Sequence, residues 1–228
     1  MEKRYILGLD VSLSSPGYAL YDRQTEQWAL ACHAQRKRET LLLDPHPILT
    51  DSRFSQLTTT TSLTVLPLLP PSATSKDTAR YLAIITNLEK FINHVVDDKK
   101  NVHVVIENYA FVQPKFSGNG YKLKEITGII KYTLRDIQMS TITVSAWKKT
   151  VCGNGRASKA DVVKKIITNG PTVDLCLIFG LTPQADGNVP CPVQDLADAS
   201  AIVMSQLVSV KRKTTQKKKK AKKQKICK

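Results

Sequence analysis

Apolar positions along the chain repeat with two periods, and the switches between them outline an α/β protein. Residues 5–11 form a compact apolar run suited to a buried central strand. After the turn Ser14-Ser15-Pro16, residues 17–21 and 27–32 read as two further strands of a meander, with residues 22–26 as the hairpin turn. From 34 to 76 the pattern dissolves into a basic cluster (Arg36-Lys37-Arg38), several prolines and a threonine run at 58–61. A structureless stretch of that length is unusual inside a compact domain, so it is predicted to be an insertion, a flap or partner-binding loop. Regularity returns at Arg80. Tyr81, Ile84, Ile85, Leu88, Phe91, Ile92 and Val95 keep the i, i+3, i+4, i+7 spacing of an amphipathic helix. Residues 102–106 have the β-branched density of a buried strand, and that strand delivers Glu107 at its carboxyl end.

Beyond a loop with glycines at 118 and 120, a helix is predicted over 122–139, with Leu123, Ile126, Ile130, Leu134 and Ile137 on one face. A short strand follows at 141–144. Ser158 with Asp161 three residues on matches a capping box, opening a helix that buries Val162, Val163, Ile166 and Ile167 and closes at Gly170. A last helix covers about 193–207. The order β-β-β-α-β-α-β-α-α implies a mixed five-stranded sheet flanked by helices, within one domain over 1–210.

Charge changes this picture only at the end of the chain. The net charge of +15 over 228 residues is concentrated in 211–228, which holds 11 of the 34 Lys and Arg residues and no acid. Without it the body carries 23 basic against 19 acidic residues, a net of +4. The tail is predicted to be a disordered polycation, suited to phosphate backbones or to nuclear targeting. The segment following Met1-Glu2-Lys3-Arg4 is too short for a signal peptide, which reads as an intracellular protein. The five cysteines are scattered and odd in number, so neither a disulfide framework nor a zinc site is expected. His33, His46, His94 and His103 form no ligand spacing and are not read as catalytic.

Acidic residues stand where a structural residue would be awkward. Asp10 lies within the apolar run Ile6-Leu7-Gly8-Leu9-Asp10-Val11, and Glu107 ends Val104-Val105-Ile106-Glu107. Asp195 and Asp198, three apart, share one helix face, among small residues that permit close packing on a sheet. Singly, each has an ordinary reading as a turn, strand-end or first-turn residue. Together, converging carboxylates on buried elements repel one another unless a cation neutralises them. Hard oxygen donors of this kind suit Mg²⁺ or Mn²⁺, and two such ions can clamp a scissile phosphate.

Gly8-Leu9-Asp10-Val11-Ser12 with Pro16-Gly17-Tyr18, then Ile106-Glu107, and finally Asp195-Leu196-Ala197-Asp198-Ala199 resemble the acidic motifs of RuvC-like Holliday junction resolvases, of the RNase H-like superfamily. The segment from Ala146-Trp147-Lys148-Lys149 to Gly153-Asn154-Gly155-Arg156-Ala157-Ser158-Lys159 resembles the family's lysine-and-glycine stretch. The likeness spans about 5–208 apart from the insertion. It implies an RNase H-like fold and metal-ligand roles for Asp10, Glu107, Asp195 and Asp198, holding Mg²⁺ (or Mn²⁺), two per site. It implies further that Lys148 and Lys159 lie near the scissile phosphate, where positive charge offsets charge building in the transition state. Tyr109 or Phe111 would stack on an unpaired base, while Lys115, Lys122, Lys124, Lys149 and Arg156 would meet the DNA backbone.

The implied activity is paired nicking of a four-way DNA junction by a homodimer, the helix over 122–139 lying in the dimer contact with Gly128 permitting close approach. Such nicks leave 5′-phosphate and 3′-hydroxyl ends. The lysine-rich tail and the insertion depart from bacterial RuvC and point to a viral or eukaryotic setting. An RNase H-like or transposase-type nuclease acting on another nucleic-acid structure is the alternative, and a non-catalytic DNA-binding protein the third reading.

Overall fold

The computed structural model describes residues 2–32, 61–63, 77–108, 119–169, 189 and 193–208. Six strands form one sheet: β1 (Tyr5–Asp10), β2 (Gly17–Asp22), β3 (Trp28–Cys32), β4 (Thr61–Leu63), β5 (Val102–Asn108) and β6 (Gln138–Thr143). Their order is β4-β3-β2-β1-β5-β6. β1, β2 and β3 are an antiparallel meander, and β5 and β6 run parallel to β1. The helices are α1 (Asp77–Val95), α2 (Asn119–Thr133), α3 (Val144–Cys152), α4 (Lys159–Asn169) and α5 (residues 193–208).

Strand periodicity divides the core into two layers. Leu7, Leu9, Leu20, Val104 and Ile106 face α1 and α2, packing with Ile84, Leu88, Phe91, Ile126 and Ile130. Ile6, Ala19, Leu30 and Val105 face the other way, packing with Trp147, Val162, Ile166 and the α5 residues Leu196, Ala199 and Ile202. Because side chains alternate along a strand, Asp10 shares the face of Ile6, and Glu107 the face of Val105. Both acids therefore point toward the α3, α4 and α5 layer.

The predicted meander, the first helix, the Glu107 strand and the last helix are present. Three differences have physical causes. β4 lies inside the stretch read as an irregular insertion, pairing in parallel with β3; three residues are too few to show a period. The predicted helix over 122–139 stops at Thr133. Leu134 and Ile137 continue its apolar spacing and are buried, but from a turn in which the Ile137 N–H donates to the Leu134 carbonyl (2.9 Å). The chain then joins the sheet earlier than expected, with Gln138 opposite His103. Finally α3, absent from the sequence reading, starts directly after β6 and ends at Gly153, whose φ of 81° is left-handed. Ser158 and Asp161 form the predicted capping box: the Asp161 N–H donates to Ser158 Oγ (3.1 Å) and the Ser158 N–H to Asp161 Oδ2 (3.0 Å). Gly170, the rest of the 34–76 stretch and the 211–228 tail lie outside the described residues.

Candidate metal centre and nucleic-acid site

β1 and β5 are adjacent and parallel, with Leu9 opposite Ile106, so Asp10 and Glu107 follow at the same carboxyl edge of the sheet. Both are buried. On the other side of β1, Asp10 is opposite Gly17 of β2. A Cβ at Gly17 would stand 2.3 Å from the Asp195 carbonyl oxygen, and one at Gly8 would stand 2.5 Å from that of Ala199. These two glycines let α5 lie directly on β1 and β2. The helix runs from Asp195 over Gly17 to Ala199 and Val203 over Gly8, so its amino end sits at the Asp10 edge. The partial positive charge of that end lowers the cost of carboxylates there.

The electrostatics record the crowding. Burial first, then the charge of Glu107, pushes the Asp198 carboxyl up to about 7, with Asp195 adding to the effect against the pull of Lys148 and Lys159. Burial likewise raises Glu107, opposed by a hydrogen bond from Trp147 and by the Lys148 charge. Glu107, Asp195, Lys148 and Lys159 thus all act on Asp198, although they come from β5, α5, α3 and the start of α4. Asp10 joins them through strand register. The Lys148 ammonium donates to the Ala157 carbonyl (2.8 Å) and lies over the Trp147 ring (5.6 Å to the centroid), tying α3 to the loop that leads into α4. Lys159, Lys149 and Arg156 are exposed.

The donor set suits a divalent cation in its chemistry, since crowded oxygen donors with a raised carboxyl pKa are relieved by a hard cation. Among the described residues, no three His, Cys, Asp or Glu side chains close into a metal-holding group as they stand.

Other residues singled out in the sequence are placed differently. Lys122 is paired with Asp77 at the amino end of α1 (2.9 Å), and Lys124 is exposed on α2, both in the layer on the opposite face of the sheet. Tyr109, Phe111 and Lys115 lie outside the described residues. His103 meets Ser140 on β6 (2.8 Å), away from the acids, and His94 is exposed near the end of α1. Among the described residues, Cys32 and Cys152 form no disulfide.

Sequence reasoning passed over Trp147. Its indole N–H donates to Glu107 Oε2 (2.9 Å) in a buried hydrogen bond. A tryptophan beside a candidate lysine was the available signal, but its acceptor lies 40 positions upstream and depends on β6 pairing with β5. Gly8 and Gly17 were legible as parts of motifs; their role as the seat of α5 was not.

A mixed sheet of this order, layered by helices on both faces, is an RNase H-like fold. Solved structures bear this out: the chain is similar to Thermus thermophilus RuvC (TM-score 0.50, 15% identity, covering 92% of this chain and 97% of that one). A second match is T. thermophilus RuvC in complex with a Holliday junction substrate (TM-score 0.50, 13% identity, covering 91% and 95%). No family model and no curated protein matches the sequence. Among the described residues, no helix is long and apolar enough to cross a membrane.

Proposed function

We propose that this chain is a divalent-metal-dependent endodeoxyribonuclease that resolves four-way DNA junctions by paired nicks. The observation that carries the reading is that buried Asp10 and Glu107 meet the amino end of α5, with Asp195 and Asp198, at the carboxyl edge of an RNase H-like sheet, where burial and Glu107 raise the Asp198 carboxyl to about 7. A carboxylate kept where it disfavours its own charge marks a functional site more often than a structural one. The fold likeness to RuvC, one neighbour of which holds a Holliday junction substrate, favours branched DNA over other polyanions.

In this reading Asp10, Glu107, Asp195 and Asp198 hold Mg²⁺ or Mn²⁺, which when bound supplies charge neutralisation and polarisation of the scissile phosphate. Lys148, pinned by the Ala157 carbonyl, and Lys159 place positive charge beside the carboxylates, where they offset charge on the phosphate oxygens. Exposed Lys149 and Arg156 extend that charge outward along α3 and its following loop, toward a DNA arm. Tyr109 or Phe111 supplies the aromatic stacked on a junction base. Residues 1–210 form the nuclease domain, and the 211–228 polycation adds sequence-independent affinity for DNA inside the cell or at a viral replication site.

A homodimer would supply the second nick. Tyr121 and Tyr132 on α2 are 67% and 72% exposed, beside Ile129 and a Gly128 with open space about it. These form an outward apolar face that suits a symmetric contact.

The deciding assay offers synthetic four-way junction, linear duplex, flap and RNA–DNA hybrid to the full chain in Mg²⁺ or Mn²⁺. Symmetric nicks in the junction alone are expected. Equal cutting of all four substrates would remove junction selectivity, and binding without any cleavage would remove the nuclease reading.

A further inference from the structure

We propose that Trp147 is a positioning residue for Glu107: its indole N–H fixes one carboxylate oxygen, so that the other is turned toward the cation site. The inference rests on the metal-dependent reading above and assigns a role to a residue outside the acidic motifs.

Trp147 lies in the first turn of α3, which begins directly after β6. β6 pairs in parallel with β5, with Ile142 opposite Glu107, so α3 turns back over the strand that bears this acid. The indole is almost completely buried, and its N–H donates to Oε2 at 2.9 Å. Indole nitrogen is only a donor, so the bond does not reverse when the carboxyl changes protonation state, and it favours the ionised form that binds cations. The ring belongs to the same apolar cluster as Val193, Leu196 and Ala197 of α5, the helix carrying Asp195 and Asp198. One rigid side chain therefore links the β5 acid by a hydrogen bond to the α5 acids by packing. Outer partners that orient a ligating group raise metal affinity, and their loss typically weakens it 10- to 100-fold.

A purely structural tryptophan would donate to Glu107 only to satisfy its own buried N–H. Metal affinity separates the two roles, because Trp147→Phe keeps most of the packing and removes only the donor. Calorimetric Mn²⁺ titration of the full chain, without DNA, is expected to show about 10-fold or greater weakening in Trp147→Phe. Trp28→Phe, which removes the other of the two tryptophans, is expected to bind as the unmodified protein does. The Mg²⁺ concentration needed for cleavage should rise in parallel, with junction affinity unchanged. Mn²⁺ affinity within twofold of the unmodified chain would overturn the positioning role alone; an unmodified chain that takes up no Mn²⁺ would overturn the metal-dependent reading itself.

Should Trp147→Phe fold poorly, the unmodified chain still decides. Of its two indole N–H resonances, the one absent from Trp147→Phe, or retained in Trp28→Phe, should shift on Mg²⁺ addition and in Glu107→Gln. A Trp147 resonance indifferent to Glu107→Gln would show that the hydrogen bond does not form, and the inference would fall.

Discussion

At the amino end of β1, Arg4 donates to both oxygens of Asp22 (3.1 and 2.8 Å) and to Asp97 (2.7 Å), while the Tyr5 hydroxyl also meets Asp97 (3.0 Å). At the other end of the same strand, roughly 17 Å away at about 3.3 Å per residue, Asp10 stands with Glu107 and the α5 acids. Burial would raise Asp22, but the Arg4 hydrogen bond and the Gln24 N–H outweigh it, and its pKa is lowered. The Tyr5 hydrogen bond leads in lowering Asp97. Across the sheet burial and Glu107 take Asp198 the other way, up to about 7, even with two lysines nearby. One end of the sheet pairs its carboxylates with basic and phenolic donors; the other crowds carboxylates against one another. Identical side-chain chemistry thus stabilises the fold at one edge and strains it at the other.

Breaking the strained end should have the largest effect. Asp10→Asn or Glu107→Gln is expected to lower the junction-cleavage rate by about a thousandfold or more, as several kcal/mol of transition-state stabilisation are lost. Gel-shift affinity for the junction in the absence of metal should persist. Loss of binding together with cleavage would mean that the acids maintain the fold and do no chemistry. Gly17→Ala comes next. Its new Cβ falls 2.3 Å from the Asp195 carbonyl, against backbone that cannot rotate away. Destabilisation of about 3 kcal/mol is expected in urea titration, with cleavage falling because α5 lifts from the sheet. An unchanged unfolding midpoint would show that α5 does not seat on β2.

Asp198→Asn sharpens the contrast by separating stability from function. A carboxyl at about 3.9 when unfolded and about 7 when folded holds its proton more tightly in the native state. The metal-free fold therefore loses stability as pH rises from 4 to 7 and stays low above. Asp198→Asn should remove that loss, raising the metal-free protein's stability at pH 8 by about 4 kcal/mol, or ~8–16 °C in melting temperature, while abolishing cleavage. Mg²⁺ should raise the melting temperature of the unmodified chain more at pH 8 than at pH 5. A flat melting-temperature profile in EDTA would show that Asp198 is not strained.

The smallest effect belongs to the satisfied end. Asp22→Asn should lower stability by about 1 kcal/mol at neutral pH and leave cleavage untouched. The sign with pH is opposite to that of Asp198. A lowered folded pKa gives stability that is complete above the unfolded carboxylate value and lost as pH falls through the folded one. The unmodified chain and Asp22→Asn should therefore converge below about pH 4 in melting experiments. Loss of cleavage in Asp22→Asn would contradict the division between the two ends.

Much of this was legible before any coordinates. Asp10 within an apolar run and Glu107 at the end of a β-branched one declare themselves, because an uncompensated carboxylate in a buried strand is costly. Asp195 and Asp198 share a helix face by spacing alone, and the Ser158/Asp161 box is a local hydrogen-bond pattern. Each rests on near neighbours in the chain, where period and residue type suffice. What only the tertiary structure decided are meetings between distant segments. α2 ends at Thr133 because the chain after it finds β5. Trp147 meets Glu107 because β6 pairs in register with β5. Gly8 and Gly17 matter because α5 lies where their side chains would be. Periodicity reports which face of an element is buried; which other element buries it depends on pairing and close approach between chain segments far apart in sequence.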